Sequence, residues 1–233
     1  MARPKVGQKD PLFLSREEVE AFLKVVQDDA AANASRLKPG EVMWIADAAI
    51  VTVGTGLRAS ELCHLRWDAV DLKGRRLKVK ASAGFKAKSG NERTVPLAGD
   101  ALAKLQELYD ARTSRASGYV FEGAASRAGT AAHLNREYLN GRFKHYAKLA
   151  ELDERHSFHS LRRTYASWLV QGGTDIYRVR KLLGHADIKT TMKYAFLAPD
   201  TFTADVERVF GKQAEAPKPR HAGRRPARKT EAV

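Results

Sequence analysis

Apolar residues recur at helical spacing through most of the chain. Val19, Phe22, Leu23 and Val26 share one helical face, and Ser15 with Glu18 forms an S-x-x-E capping box just ahead of them. Residues from about 41 to 53 are apolar almost all round (Val42, Met43, Trp44, Ile45, Ala46, Ala48, Ala49, Ile50, Val51), which predicts a helix in the middle of a core. Residues 100–113 turn Leu102, Leu105, Leu108 and Tyr109 inward, and 135–149 place Tyr138, Phe143, Tyr146 and Leu149 on one face. A helix carrying Tyr165, Ala166, Trp168 and Leu169 breaks at Gln171-Gly172-Gly173. Thr174 or Asp175 can cap the next helix, which buries Ile176, Val179 and Leu182 or Leu183 and stops at Gly184. A short third helix carries Tyr194, and Pro199 starts a last one with Phe202, Val206, Val209 and Phe210 as its apolar face.

The period changes once. Leu77 and Val79 alternate with Arg76, Lys78 and Lys80, a strand with one basic side. Residues 81–88 read as its hairpin partner, Ser89-Gly90-Asn91 as a turn, and 92–97 as a third strand. Tyr119-Val120-Phe121 is a short buried strand or turn. The expected class is therefore mainly α with a small antiparallel three-stranded β-sheet (α+β). Residues 1–10 read as a flexible tail, 11–211 as one domain, and 212–233 as a disordered tail with seven basic residues against two acidic ones.

Charge narrows the partner. Of 233 residues, 41 are Lys or Arg and 27 Asp or Glu, a net of +14, which favours a polyanion, most often nucleic acid. Arg136, Arg142, Lys144 and Lys148 line the polar side of the 135–149 helix, either a backbone-binding stripe or a solvated face. The single cysteine, Cys63, allows no internal disulfide and argues against a Cys-based metal site; among Leu62, Leu65 and Trp67 it reads as core filling. No apolar run resembles a signal peptide or approaches a membrane span, so a cytoplasmic protein with no membrane partner is expected.

Candidate chemistry gathers late in the chain. His159 and Arg162 stand three apart, on one helical face; His185 follows the Gly184 turn, and Tyr194 lies nine residues beyond it. Around them are Arg163, Arg178, Arg180, Lys181, Lys189 and Lys193. Guanidinium forks fit phosphate oxygens, imidazole donates or shuttles protons near neutrality, and a deprotonated phenol is a nucleophile. Each piece alone is ordinary: Tyr165 and Tyr177 are nearby phenols, and Arg58, after Gly54-Thr55-Gly56-Leu57, could be an exposed arginine at a helix–helix turn.

Taken in order, the pieces resemble the tyrosine recombinases of the phage-integrase family. T-G-L-R-x-S-E-L at 55–62, K-x-G-N-E-R-x-V-P-L at 88–97, then His-x-x-Arg, Leu-Leu-Gly-His and Tyr194 carry the likeness, which spans about 11–210. The resemblance implies the recombinase catalytic-domain fold. It also implies DNA cleavage and rejoining by transesterification through a 3′-phosphotyrosyl intermediate, without cofactor or metal. It assigns Tyr194 as nucleophile, Arg58 and Arg162 as holders of the phosphate oxygens, and Lys88 as proton donor to the leaving 5′-oxygen, with Lys86 as the nearby competitor. His159 would exchange the tyrosine's proton, His185 would hydrogen-bond a phosphate oxygen, and Glu61 would brace the basic residues. Double-stranded DNA is the implied partner. Self-association as a dimer or tetramer is also implied, through a C-terminal helix that docks on a neighbour or folds back on its own core. Family members usually carry an additional N-terminal helical domain, and this chain is expected to lack it. Alternatives are a DNA-binding accessory protein with the same fold but no strand exchange, and a DNA-relaxing topoisomerase of the tyrosine type.

Overall fold

The computed structural model describes residues 11–35, 42–80, 92–112, 118–123 and 133–211. Helix α1 (Arg16–Ala32) opens on the expected capping box: Glu18 N–H donates to the Ser15 hydroxyl at 3.1 Å, and Ser15 N–H donates back to the Glu18 carboxylate at 2.7 Å. Val19, Phe22 and Val26 are buried. Helix α2 (Trp44–Thr55) is buried nearly all round and packs between α4 (Gly99–Ala111) and α6 (Phe158–Gln171). The α2–α4 approach is so close that a Cβ on Gly54 would lie 2.4 Å from that of Ala101.

The end of α2 sets up the site. Gly56 adopts φ +64, and a Cβ there would lie 2.3 Å from the Tyr165 ring. Both backbone and space exclude a side chain, so the chain turns tightly and starts α3 (Ala59–Cys63) at Arg58. Cys63 is buried, as a core filler.

Helix α5 (Arg136–Leu149), capped by the Asn135 side chain on Tyr138 N–H at 2.8 Å, buries Leu139, Phe143, Tyr146 and Ala147. Tyr138 and Leu149, expected inward, are 53% and 52% exposed. The buried set runs i, i+4, i+7 from Leu139, and Tyr138 stands one step, about 100°, off that line; its ring lies on Trp44 instead, centroids 5.4 Å apart. Tyr109 likewise turns outward, edge-on to Trp67. Phe143 links the core rings, stacked on Phe22 at 5.0 Å and edge-on to Phe158 at 5.8 Å.

The sheet has three antiparallel strands in the order β1 (Val70–Asp71), β2 (Arg76–Val79) and β3 (Arg93–Pro96). Leu77 faces Val95, and Val79 faces Arg93. The third strand described is β1, which the sequence did not reveal: two residues show no alternation. The strand expected at 81–88 lies outside the described residues, as do both expected tails at 1–10 and 212–233.

A second, smaller core joins α6 to α7 (Ile176–Leu183): Tyr165, Ala166, Val170, Val179, Leu183 and Tyr194. Asp175, not Thr174, caps α7, and Gly184 ends it at φ +64. Helix α8 is short (Lys189–Met192), and Tyr194 falls between it and a 3-10 turn at Ala195–Leu197 rather than on the helix. Helix α9 (Phe202–Phe210) belongs to a separate unit and bears exposed Val206, Val209 and Phe210. No helix among the described residues is long and apolar enough to cross a membrane.

Candidate active site

The site is assembled around the C-terminal end of α7, where helical carbonyls lack partners and the helix dipole is negative. Four arginines meet those carbonyls, three of them brought in from distant parts of the chain. Arg93, on β3, donates Nε to Leu182 O at 2.9 Å. Arg162, on α6, donates Nη2 to Leu183 O and Nη1 to Gly56 O. Arg58 donates Nη2 to Gly184 O at 3.3 Å. Arg180, on α7 itself, donates Nε to His185 O at 3.1 Å and Nη2 to Ala186 O at 2.6 Å. Every carbonyl from residue 182 to 186 is thereby taken by a guanidinium.

Glu61 ties three of these arginines together. Its carboxylate accepts Arg93 Nη1 and Nη2 at 2.9 and 2.6 Å, a fork-to-fork pair. It also accepts Arg58 Nη1 at 2.7 Å and the Arg58 backbone N–H at 2.8 Å, and stands 3.9 Å from Arg162 Nη1. Glu61 is 5% exposed. Burial alone would raise its pKa, but Arg93's hydrogen bonds and charge, with the Arg58 amide and the Arg162 charge, outweigh it and hold the carboxyl at about 2. Arg162 is pushed down to about 9, by burial first and by Arg58 second, and stays a cation at pH 7.

The two imidazoles lie in this positive field. His159, in the first turn of α6, keeps an exposed edge; burial of the rest, then Arg162, Arg163, Lys193 and Arg58, lower it to about 4. His185, half-buried, is lowered to about 3 by burial, then by Arg162, Arg58, Lys193 and Arg93. Both are neutral at pH 7 and able to accept or donate a proton. His185 Nδ1 lies 2.9 Å from the Thr191 hydroxyl. A cavity of about 910 Å³, lined in part by Lys78, Lys80, Arg93, Arg180 and Lys181, opens beside His185.

Tyr194 is 3% exposed, within the smaller core. Burial raises its pKa, while Arg163 and then Arg162 act against the rise. The Lys193 ammonium sits 5.2 Å from the centre of its ring. Of the competing phenols, Tyr165 is pushed up to about 12 by burial, and Tyr177 is 66% exposed on α7.

Arg58, Glu61, Arg162 and His185 are therefore joined through shared hydrogen bonds and adjacent carbonyls, with His159 and Tyr194 inside the same electrostatic neighbourhood. Lys88 and its competitor Lys86 lie outside the described residues. Among the described residues no cluster of His, Cys, Asp and Glu could hold a metal ion. Sequence reasoning missed Arg93 and Thr191. Arg93 left a signal: it has the strand parity of Val95, so the alternation turns it inward. Thr191 left none, since a Lys-Thr-Thr run reads as an exposed helix start.

Relatives share much of this chain. The Xylella fastidiosa tyrosine recombinase XerC is 31% identical over 196 residues, covering 83% of this chain and 59% of the relative. XerC of Natranaerobius thermophilus is 33% identical over 202 residues, covering 83% of this chain and 61% of the relative. The chain thus spans about three fifths of the length of these relatives. Among solved structures, the XerA recombinase superposes with a TM-score of 0.62 at 23% identity, over 89% of this chain and 66% of that one. The catalytic domain of bacteriophage HP1 integrase gives 0.58 at 22% identity, over 88% of this chain and 100% of that one. At such identities the likeness is one of fold. A model of the phage integrase family matches residues 13–200, and the chain belongs to that family.

Proposed function

We propose that this chain acts as a site-specific tyrosine recombinase that cuts and rejoins double-stranded DNA. The observation that carries the reading is the pair Arg58 and Arg162, fixed on the adjacent carbonyls of Gly184 and Leu183 with His185 next in line. Two guanidiniums so held can take the two non-bridging oxygens of one phosphodiester and match the charge that grows on them in the transition state. Glu61 and Arg93 hold that pair without neutralising it, because three arginines share one carboxylate. The recombinase activity of the Xer relatives, and the circular-intermediate DNA held by the Tn1549 integrase, a solved structure of TM-score 0.61, support the same substrate.

In this mechanism the Tyr194 phenol gives its proton to neutral His159, and its oxygen attacks the phosphorus. The phosphorus–O5′ bond breaks, leaving a 3′-phosphotyrosyl link, and Lys88 gives a proton to the departing 5′-oxygen. A 5′-hydroxyl of another strand attacks the link and regenerates the phenol, so the exchange needs no ATP. His185 donates to a phosphate oxygen. Residues 11–211 form the catalytic domain, and the copies that pair two DNA sites associate partly through the exposed apolar residues of α9. Tyr194→Phe tests the core of this: it should bind a nicked duplex normally and form no covalent adduct. Adducts that persist would move the nucleophile to another tyrosine.

The burial of the Tyr194 phenol, 3% exposed within the smaller core, favours one second reading, an accessory DNA-binding protein that performs no exchange by itself. Capture on a nicked duplex by the unmodified chain separates the two: binding without capture supports the accessory role.

A further inference from the structure

Thr191 is fully buried, and its hydroxyl oxygen lies 2.9 Å from Nδ1 of His185. Of the three other buried threonines among the described residues, Thr52 has an unpartnered hydroxyl, while Thr55 and Thr164 donate theirs to the carbonyl four residues back, Val51 and Ser160. Thr191 does not. Among the described hydrogen bonds its hydroxyl has the imidazole as its one partner. A buried hydroxyl proton without an acceptor costs about 1–3 kcal/mol. Nδ1 is the acceptor at hand, and it accepts only when it carries no proton itself. A neutral ring then bears its proton on Nε2.

The same residue reaches the nucleophile through its main chain. Tyr194 N–H donates to Thr191 O at 3.0 Å, and Thr191 N–H is anchored to Ile188 O at 2.8 Å. Arg180 holds the backbone of His185 by its carbonyl, so ring and backbone of this histidine are fixed by different residues.

We infer that Thr191 is a positioning residue: it holds His185 as the Nε2–H tautomer, so that the ring offers the phosphate a donor rather than a lone pair, and it ties that ring to the backbone of the Tyr194 turn. This rests on the strand-cleaving reading above. A lone pair facing a phosphate oxygen would repel it, whereas an N–H adds to the grip of Arg58 and Arg162. Outer partners that orient an imidazole matter by about 10- to 100-fold where it is a metal ligand, and a similar loss is expected here.

The test uses the full chain with 15N-labelled histidine, the His185 ring signals being assigned by their loss in His185→Gln. Proton–nitrogen correlation at pH 7 should show His185 protonated at Nε2 and bare at Nδ1. Thr191→Ser should keep that pattern and the single-turnover capture of a nicked duplex. Thr191→Val, equal in shape but without the hydroxyl, should lose the preference and capture roughly 10- to 100-fold more slowly, a larger loss than the accompanying fall in duplex affinity. A proton on Nδ1 in the unmodified chain, or capture by the valine variant at the unmodified rate, overturns the proposal. If the valine variant does not fold, the unmodified chain's tautomer and the serine variant decide it. If the unmodified chain captures no DNA, the cleavage reading falls, and the ring's protonation pattern still decides whether Thr191 holds the tautomer.

Discussion

Glu61 sits 5% exposed among three guanidiniums, with its carboxyl at about 2 against 4.5 for a free glutamate. The stability it contributes is therefore fully present above pH 4.5 and lost as pH falls towards 2, an effect of roughly 3 kcal/mol. Glu61→Ala should destabilise the fold by about 3–5 kcal/mol in urea unfolding at pH 7, because it leaves Arg93 and Arg162 buried without their carboxylate. His159 and His185 act in a higher window. Their folded values of about 4 and 3 lie below the ordinary 6.5, so beneath pH 6.5 the unfolded chain binds more protons and stability falls as pH is lowered. A bound phosphate would favour the charged rings and reverse their shifts. DNA affinity should thus rise as pH drops from 7.5 to 5.5, more steeply than phosphate contacts by lysine alone require. A pH series of binding curves on the unmodified chain and His185→Gln checks this, the variant showing the shallower rise.

Among the elements, the α7 turn governs the geometry. Gly184→Ala places a Cβ 2.9 Å from Arg93 Cδ at φ +64, so it strains the backbone and pushes one of the carbonyl-holding arginines away. The backbone cost alone is about 1–2 kcal/mol, and covalent capture should fall by more than the stability loss explains. Arg93→Lys keeps the charge but cannot span both Glu61 oxygens and Leu182 O together; it should lower the melting temperature and slow capture while leaving duplex affinity near normal. Much of this architecture was legible in the sequence. The capping box at Ser15, the all-apolar α2, the Gly184 stop and the alternation at Leu77 and Val79 each follow from local chemistry that no distant contact overrides. The grouping at the α7 end was legible only as a resemblance, because its partners are backbone carbonyls, which every residue owns and no side-chain pattern reveals. Tyr138 and Leu149 were misplaced for a related reason. An apolar residue one step off the buried line counts towards a helical face in the sequence but finds solvent, or a neighbour such as Trp44, in the fold.

For the molecule as a whole, the net charge of +14 predicts a strongly salt-dependent grip on DNA. Residues 212–233 carry seven basic side chains, and removing them should lower affinity and flatten the slope of log affinity against log salt by roughly 0.9 for each phosphate they had neutralised. An unchanged slope would mean the segment touches no phosphate. The placement of the phenols bears on the molecule's behaviour away from DNA. Tyr177 and Tyr138 are 66% and 53% exposed, while Tyr194 is 3%. A nitrating reagent such as tetranitromethane would reach the outer two long before the inner one, so a lightly nitrated preparation should still cut. On the proposed mechanism the nucleophile is stored away from solvent, and the rate at which Tyr194 yields to the reagent, with and without a duplex, would time how often it emerges.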